Sequence, residues 1–238
     1  MHLPTIRAQC FTVAISGPVA FAVLVASPGA HAASGRLNDT GQSRCAFHQD
    51  FIDCKHTGQD GESGRDKTSP ADQNGRAGFS FVKVSATGED LPHTATAWSC
   101  VKDKVTGLMW EVKTSDGGLH DGTRLFSNYR DGRAGDTSQF VAQTNGEGLC
   151  GFTDWRLPRR VEMQSLVDYS TGYPRFSIDE NWFPTFTQWQ WTSTPSLLEP
   201  TLSWAVSLHL GDVGIPYAPV FPASAMLVRD VAPPVATT

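Results

Sequence analysis

The residues with the clearest chemistry in this sequence are its cysteines. The chain has five, and Cys10 stands ahead of an apolar N-terminal stretch. The other four are Cys45, Cys54, Cys100 and Cys150. An even set in an oxidising compartment pairs as disulfides, in three conceivable ways. We expect the first two to pair with each other and the last two likewise, because the first two are close in a polar segment and the others flank the apolar core. Zinc is the weaker interpretation, since no Cys-x-x-Cys occurs.

Aromatic residues are the second chemically suggestive set. Four tryptophans fall within twenty-three residues and two tyrosines lie nearby; they are Trp182, Trp189, Trp191, Trp204, Tyr173 and Tyr217. Side chains alternate along a strand, so Trp189 and Trp191 are expected on one face. The simpler interpretation is that these rings fill the core. The alternative is that some form a surface on which a sugar ring stacks while polar neighbours bind its hydroxyls.

Metal and catalytic motifs are weak or missing in the sequence. Three loops rich in Asp and Gly, at 60–66, 116–121 and 131–136, offer oxygen ligands for calcium, but none has EF-hand spacing. We therefore expect no cofactor, with calcium as the one ion left open. No Gly-x-Ser-x-Gly elbow occurs, and His209 lies in an alternating, strand-like segment. We expect a protein that is not an enzyme; an enzyme with an unidentified site is an alternative.

An N-terminal leader sets the expected compartment. Arg7 precedes an apolar stretch from Phe11 to about Ala26, which is followed by Ala30-His31-Ala32. This order is typical of a signal peptide, so we expect cleavage after Ala32. The stretch contains Pro18 and is shorter than the roughly 20 apolar residues of a spanning helix. We expect the mature chain in the periplasm, secreted or at the cell surface, without stable membrane insertion.

The charge balance excludes one class of partner. The chain has 19 Lys and Arg residues against 24 Asp and Glu residues, and the leader contains only one of these charges, Arg7. Binding to nucleic acids depends on clustered basic residues that neutralise phosphates. Arg156, Arg159 and Arg160 form the one basic cluster, and a structural role accounts for it. We therefore expect no nucleic-acid partner.

The sequence predicts that the cysteines and aromatic residues described above are positioned by an α+β domain. Residues 33–97 are predicted to be an irregular polar lead with a short disulfide loop, 98–231 the main domain and 232–238 a flexible tail. Strands are predicted at 79–84, 108–113, 189–194, 203–210 and 225–229. One helix is predicted from Thr137 to about Asn145, capped by Thr137 or Ser138, and another from Arg159 to Tyr169, ending near Gly172. Helices in the middle of the chain with strands around them indicate an antiparallel sheet.

Four ordered motifs resemble one known family. They are Trp98-Ser99-Cys100-Val101-Lys102-Asp103, Thr106-Gly107-Leu108-Met109-Trp110-Glu111-Val112-Lys113, Gly148 to Pro158 (GLCGFTDWRLP) and Trp191-Thr192-Ser193-Thr194. Together they resemble the Lcl C-terminal domain family, named for a bacterial collagen-like adhesin, over residues 98–231. The resemblance implies a C-type lectin-like fold, with two helices packed on a small twisted antiparallel sheet braced by disulfides.

The segment around Pro158 also resembles the formylglycine-generating enzyme family. Both families usually have a Thr after this Pro and a Glu three residues later, which together form a capping box. This chain has Arg159 at the Thr position, so we expect Glu162 to hold Arg156 or the helix start. The same reasoning gives Asp154 and Trp155 structural roles. The copper chemistry of that enzyme family requires later cysteines, and none follows Cys150.

The resemblance places a ligand surface on two late loops, residues 195–202 and 211–224. The candidate ligand-binding residues are Trp189, Glu199, Asp212 and Tyr217, and the expected core surrounds Trp110, Trp155 and Trp191. We expect an exported binding or adhesion module for a glycan, a sulfated polysaccharide or a surface protein. The loops are more apolar than is usual for a sugar site. An alternative is therefore a structural accessory of a surface appendage with a protein partner.

Overall fold

A computed structural model describes residues 38–68, 74–171, 176–214 and 217–231. The predicted signal peptide, the predicted tail, Tyr173 and the predicted helix end at Gly172 all lie outside these residues. The described part is a mixed α/β structure with small antiparallel sheets, few helices and two disulfides. Across the described ranges, the helices are all too short or too polar to cross a membrane.

The central element is a five-stranded antiparallel sheet. Its strands are β3 (Phe81–Val84), β4 (Asp90–Leu91), β5 (Cys100–Asp103), β6 (Leu108–Glu111) and β9 (Val228–Asp230), in the spatial order β4-β3-β5-β6-β9. The predicted turn before β6 forms at Gly107, which has φ 73° and donates its N–H to the Asp103 carbonyl at 3.0 Å. The final strand in sequence thus pairs beside β6.

A separate two-stranded sheet carries the late tryptophans. Strands β7 (Trp189–Pro195) and β8 (Ser203–Ser207) are antiparallel, with an irregular register between Trp191 and Pro195. The Trp191 N–H donates to the Ser224 carbonyl at 2.8 Å, which ties this hairpin to the segment leading into β9. The hairpin leaves residues 196–202 as a projecting loop.

The polar lead is more ordered than the sequence predicts. A hairpin of β1 (Cys45–Phe47) and β2 (Asp50–Ile52) is followed by two single-turn helices, α1 (Asp60–Ser63) and α2 (Arg65–Thr68). Strands β3 and β4 also precede residue 98, yet they belong to the central sheet. The reason is packing, because Phe81 contacts Trp182 and Phe183 with ring centroids 5.6 and 5.7 Å apart. The sheet thus extends across the predicted start of the main domain.

Both predicted helices form, but their ends differ from the predictions. Helix α3 (Thr137–Glu147) is capped by Asp136, whose carboxylate accepts the Ser138 N–H, and not by Thr137 or Ser138. Helix α4 (Arg160–Gln164) is much shorter than the predicted span to Tyr169. The Ser165 hydroxyl donates to the Glu162 carbonyl at 2.6 Å, and the chain then turns to bury Leu166 and Val167. Helix-like spacing of apolar residues therefore continues beyond the helix itself.

The alternation of strand side chains creates two hydrophobic clusters. Val101, Leu108 and Trp110 belong to one cluster, whereas Cys100 and Met109 belong to the other, which also holds Trp155 and Trp191. Trp110, Trp155 and Trp191 are all fully buried, so the predicted core tryptophans are confirmed. The predicted disulfides are also present: Cys45–Cys54 with Cα atoms 5.1 Å apart and Cys100–Cys150 with Cα atoms 6.5 Å apart. The second disulfide lies inside the second cluster.

Candidate binding surface

Two of the predicted ligand residues pack against each other around a glycine. The Trp189 and Tyr217 rings meet edge to face, with centroids 5.6 Å apart, and Tyr217 stacks on Phe221 at 4.2 Å. A Cβ on Gly214 would lie 2.8 Å from the Tyr217 ring and 2.9 Å from the Trp189 ring. All three rings remain half-buried. A glycine at this position therefore lets the backbone approach a partly exposed aromatic surface.

The two predicted acidic residues lie on different loops. Asp212 is exposed two residues before Gly214, and its carbonyl accepts the Ser207 N–H at 2.8 Å. Glu199 lies on the β7–β8 loop, where its carboxylate accepts the Thr201 hydroxyl at 2.8 Å. Asp212 therefore lies on the loop that leads to Gly214 and Tyr217, whereas Glu199 lies on the neighbouring loop.

The tip of the β7–β8 loop consists of two leucines, Leu197 and Leu198, each 97% exposed. The loop beneath them is ordered, since the Ser196 N–H donates to the Leu202 carbonyl and the Leu202 N–H donates to the Glu199 carbonyl, both at 2.9 Å. We call these two leucines the dileucine tip. Single exposed leucines are normal on protein surfaces, whereas contiguous exposed apolar area is typical of interaction sites.

The tryptophans divide between core and surface. Trp191 is buried and its Nε1 donates to the Phe126 carbonyl at 2.9 Å, whereas Trp189 on the same face stays half-exposed. Trp182 is buried among the aromatic side chains beside β3. Trp204 is half-buried beneath the Arg160 guanidinium, 4.8 Å from the ring centroid. Core packing thus explains two of these four rings, and two remain accessible.

The residues of the Pro158 segment form a structural ionic cluster. Arg156 donates to both carboxylate oxygens of Glu162, at 2.8 and 3.0 Å, and Glu162 also accepts the Arg159 N–H at 2.7 Å. The Pro158 carbonyl accepts the Ser193 N–H at 2.8 Å. Burial raises the pKa of Glu162, but Arg156 and Arg159 outweigh it and hold the pKa below its ordinary value. This cluster holds the start of α4 on β7.

Asp154 and Trp155 also act in packing. The Asp154 carboxylate binds Arg229 at 2.6 Å, and the Arg229 guanidinium lies 3.8 Å from the centre of the Phe152 ring. The buried Trp155 donates its Nε1 to the Leu149 carbonyl at 3.0 Å, and the Asn145 side chain pairs with both backbone groups of Trp155. These contacts join the end of α3 to the last strand.

A buried ionic network lies where the sequence predicts only an apolar strand. Glu111 accepts from Lys113 Nζ and pairs with His120 Nδ1, both at 2.8 Å, and the side chains of Glu111 and Lys113 have no exposed surface. The second Glu111 oxygen accepts the Leu227 N–H at 2.8 Å. Strand alternation carries the signal, since positions 109, 111 and 113 share one face. The burial of Glu111 and Lys113 favours a structural role.

The titration of this network follows from its partners. Burial raises the pKa of Glu111, but the Lys113 charge and the His120 hydrogen bond outweigh it, so the pKa is lowered. Burial lowers the pKa of His120, but the hydrogen bond to Glu111 and the negative charge of Glu111 together outweigh burial. The pKa of His120 is therefore raised. His120 Nε2 also lies 3.3 Å from the Glu147 carboxylate at the end of α3. His120 therefore joins the loop after β6 to that helix.

A small cleft separates the polar lead from α4. Its volume is about 200 Å³, and its lining includes Asp39, Thr40, Val161, Gln164, Val167 and Tyr169. Val161 is 50% exposed and Tyr169 is 37% exposed, while the Tyr169 hydroxyl donates to the Gly211 carbonyl at 3.2 Å. Val161, Val167 and Tyr169 supply the apolar part of the wall, and polar side chains come both from the lead and from the α4 segment, where Gln164 and Ser165 line the cleft.

No metal site accompanies these features within the described ranges, where no group of three or more His, Cys, Asp or Glu side chains is arranged to hold an ion. In the Asp-rich loops at 116–121 and 131–136, the carboxylates instead accept N–H groups of the nearby backbone. Asp121, for example, accepts the Gly117 and Thr123 N–H groups at 2.7 and 2.8 Å, and its pKa is lowered to about 2 by the Thr123 side chain and these N–H groups.

Comparison with known proteins identifies the family. Searches of curated proteins and of solved structures returned no match. The family model described as the Lcl C-terminal domain matches residues 99–231, which is more than half of the 238-residue chain. This match confirms the resemblance found in the sequence motifs. The chain belongs to the Lcl C-terminal domain family.

Proposed function

We propose that this protein is an exported, non-enzymatic binding or adhesion module whose ligand surface lies on its late loops. The observation that carries the proposal is the pair of half-exposed rings, Trp189 and Tyr217, meeting at Gly214 beside the exposed Asp212. We further infer a C-type lectin-like arrangement of the sheets and helices, as family membership implies.

The chemistry of this surface suits a glycan or another surface polymer. An aromatic ring offers an apolar face to the C–H groups of a sugar, while a carboxylate accepts hydrogen bonds from its hydroxyls. Phe221 holds the Tyr217 ring by stacking, and Tyr217 in turn holds Trp189. Rings fixed in advance lose little conformational entropy when a ligand binds. The surface is therefore organised before the ligand arrives.

A positive charge near these loops supports a sulfated polysaccharide as one ligand. The Asn128 N–H donates to the Pro219 carbonyl at 2.8 Å, which places the 128–136 loop against the second late loop. The Arg130 guanidinium reaches the Pro200 carbonyl on the other late loop, at 3.5 Å. Arg pairs well with planar and tetrahedral anions because its donors form a fixed fork. Arg130 is thus positioned to contact a sulfate group.

The experiment is binding of the exported, oxidised protein to an array of neutral and sulfated glycans, with and without calcium. We expect saturable binding that Trp189→Ala and Tyr217→Ala each weaken about tenfold or more. Phe51→Ala is the matched control, because Phe51 is an exposed aromatic residue on the β1–β2 hairpin, which is not part of the proposed surface. Circular dichroism checks that each variant folds. No binding to any glycan on the array would contradict the proposal, and so would a loss of binding in Phe51→Ala equal to that in the two test variants.

A second candidate function is a structural accessory of a surface appendage that binds a protein partner. The dileucine tip favours it, because an apolar tip suits a protein pocket better than a hydroxyl-rich sugar. The two functions predict different sensitivities. Substitutions at the tip should leave glycan binding unchanged if the aromatic surface is the glycan site.

A further inference from the structure

His120 faces a carboxylate with each of its two ring nitrogens. Nδ1 lies 2.8 Å from Glu111 Oε1, and Nε2 lies 3.3 Å from Glu147 Oε2. The first carboxylate belongs to β6 and the second to the end of α3. An ionised carboxylate only accepts hydrogen bonds, so both ring nitrogens have to donate in this arrangement. Only the protonated imidazole has two N–H groups, and the two contacts therefore fit the charged form of His120.

Loss of the proton leaves His120 with one N–H group for two carboxylates. One ring nitrogen then presents a lone pair to a carboxylate oxygen, and that contact is no longer attractive. The Glu111 side chain has no exposed surface, whereas the Glu147 side chain is 58% exposed. A buried carboxylate loses more when its donor leaves, because water does not replace the donor. The neutral ring therefore keeps its hydrogen bond to Glu111 and gives up the contact with Glu147.

The charges around His120 favour the same order of events. Three charged side chains face the ring: Glu111 from β6, Lys113 just after β6 and Glu147 from α3. The segment before β9 faces Glu111 with an uncharged group, the Leu227 N–H. When His120 is protonated, two positive charges match two negative charges. Deprotonation leaves one negative charge in excess, and the exposed Glu147 is the group that water solvates at the lowest cost.

The segment that carries His120 has a fixed shape of its own, and we call residues 114–122 the His120 loop. Its base is closed by the Thr114 N–H, which donates to the His120 carbonyl at 2.9 Å. Its acidic residues bind the backbone of the same loop, since Asp116 and Asp121 accept N–H groups at 2.8 and 2.7 Å. The contact between the His120 ring and Glu147 thus connects a preformed loop to the last turn of α3.

The last turn of α3 has a side-chain contact on each of two sides. Asn145 and Glu147 are two residues apart, which places them about 200° apart around the helix axis. The Asn145 side chain pairs with both backbone groups of Trp155, at 2.8 and 2.9 Å. Glu147 reaches His120 on the other side. Loss of the His120 contact leaves this turn held from one side, and its local opening becomes more frequent.

We propose that His120 is a proton-operated clasp between the His120 loop and the end of α3, closed when the ring is protonated and open when it is neutral. Burial lowers the pKa of His120, but Glu111 outweighs burial and raises the pKa above its ordinary value of 6.5. The clasp is therefore closed at mildly acidic pH and opens as the pH rises through the raised pKa. The mobility of the two segments then depends on the pH around the protein. This proposal is independent of ligand binding by the aromatic surface.

The test is amide hydrogen exchange of the oxidised protein from about pH 5 to about pH 9, corrected for the intrinsic pH dependence of exchange. As the pH rises, protection of residues 114–122 and 144–148 should fall about threefold more than that of β3 and β5. Glu147→Gln should remove this extra fall, because its amide donates to the neutral Nε2 nitrogen. Glu89→Gln, an exposed glutamate between β3 and β4, is the matched control and should retain it. No extra fall in the wild type, or the same extra fall in Glu147→Gln, overturns the proposal.

The ring itself gives an independent readout. Nitrogen-15 NMR of the His120 imidazole distinguishes the charged form from each neutral tautomer. We expect two protonated nitrogens at acidic pH and a neutral form with its proton on Nδ1, because Glu111 keeps its donor. The midpoint of this titration should coincide with that of the extra exchange and should move to lower pH in Glu147→Gln. A neutral ring with its proton on Nε2 would show that Glu147 keeps the contact, and it would overturn the proposed release.

Discussion

Glu111 links three parts of the chain through one side chain. Its two oxygens bind Lys113, His120 and the Leu227 N–H, so β6, the following loop and the residue just before β9 share a single buried carboxylate. Removing one member of such a group leaves another buried charge unpaired, which costs far more than losing an exposed ion pair. Two predictions at the residue scale follow from this arrangement.

The first concerns pH. Because the pKa of His120 is raised above its ordinary value of 6.5, its protonation stabilises the fold fully below about pH 6.5, and this stabilisation is lost as pH rises through the folded-state pKa. Urea unfolding should show that the free energy of unfolding of the wild type falls as the pH is raised through this pKa. The His120→Asn variant should not show this fall. Parallel curves for the two proteins would contradict the assigned coupling.

The second concerns the Glu111–Lys113 pair. Glu111→Gln keeps an oxygen for the Leu227 N–H but removes the charge, and we expect it to lower the free energy of unfolding by about 3–5 kcal/mol. Lys113→Met should cost a similar amount. The double variant should cost clearly less than the sum, because neither Glu111 nor Lys113 is left as an unpaired buried charge. Additivity within about 0.5 kcal/mol would show that the two side chains are not coupled.

At the element scale, α4 depends on its first turn. The buried Glu162 carboxylate accepts hydrogen bonds from the Arg156 and Arg159 side chains and from the Arg159 N–H, so both of its oxygens have partners. We expect Glu162→Gln to lower the free energy of unfolding by about 2–3 kcal/mol at neutral pH. Arg159→Thr restores the capping hydroxyl and should change stability by less than about 1 kcal/mol. Thermal unfolding of both variants checks this ranking, and a larger loss for Arg159→Thr would refute it.

The helices also show what sequence patterns can and cannot predict. The apolar spacing of Met163, Leu166 and Val167 correctly places buried residues but overestimates α4, because a turn can bury the same side chains. Asp136 caps α3 although Thr137 and Ser138 are also capping residue types, and only tertiary contacts choose among them. Asp136 has such contacts, since it also accepts the Tyr129 and Arg130 N–H groups at 2.6 and 3.1 Å.

The candidate surface was predictable in part. The family resemblance named Trp189 and Tyr217 as candidates on or beside the late loops, and the structure brings their rings into contact. Strand alternation does not predict this contact, because Tyr217 lies outside the strands. Glu199 and Asp212 lie on the two separate loops that the sequence indicates, but the sequence does not show how those loops lie in space, since the path of a loop depends on contacts distant in sequence. The cleft beside α4 was not predictable at all, because it joins residues 38–40 to residues 161–169. Pairs this far apart leave no periodic signal in the chain.

For the whole molecule, the two disulfides should differ in their effects. Cys100–Cys150 spans 50 residues inside the second hydrophobic cluster, whereas Cys45–Cys54 spans 9 residues in the lead. We expect Cys100→Ser/Cys150→Ser to lower the free energy of unfolding by about 4 kcal/mol. The reason is that removing a disulfide frees the unfolded chain, and the entropy gained is larger when the disulfide closed a longer loop. Cys45→Ser/Cys54→Ser should mainly open the lead, seen as faster amide exchange near residues 45–63. Equal global losses would contradict this division.

The position of β9 has a consequence for how the protein is made. Synthesis proceeds from the N-terminus, so Val228–Asp230 emerges after the other four strands of its sheet, yet it forms the edge beside β6 and exchanges hydrogen bonds with Arg156. Until then, β6 has an unpaired edge that can bind other strands. The sheet is therefore incomplete at β6 until Val228–Asp230 has been synthesised. A truncation just before residue 228 would act as a folding defect rather than as the loss of a peripheral strand.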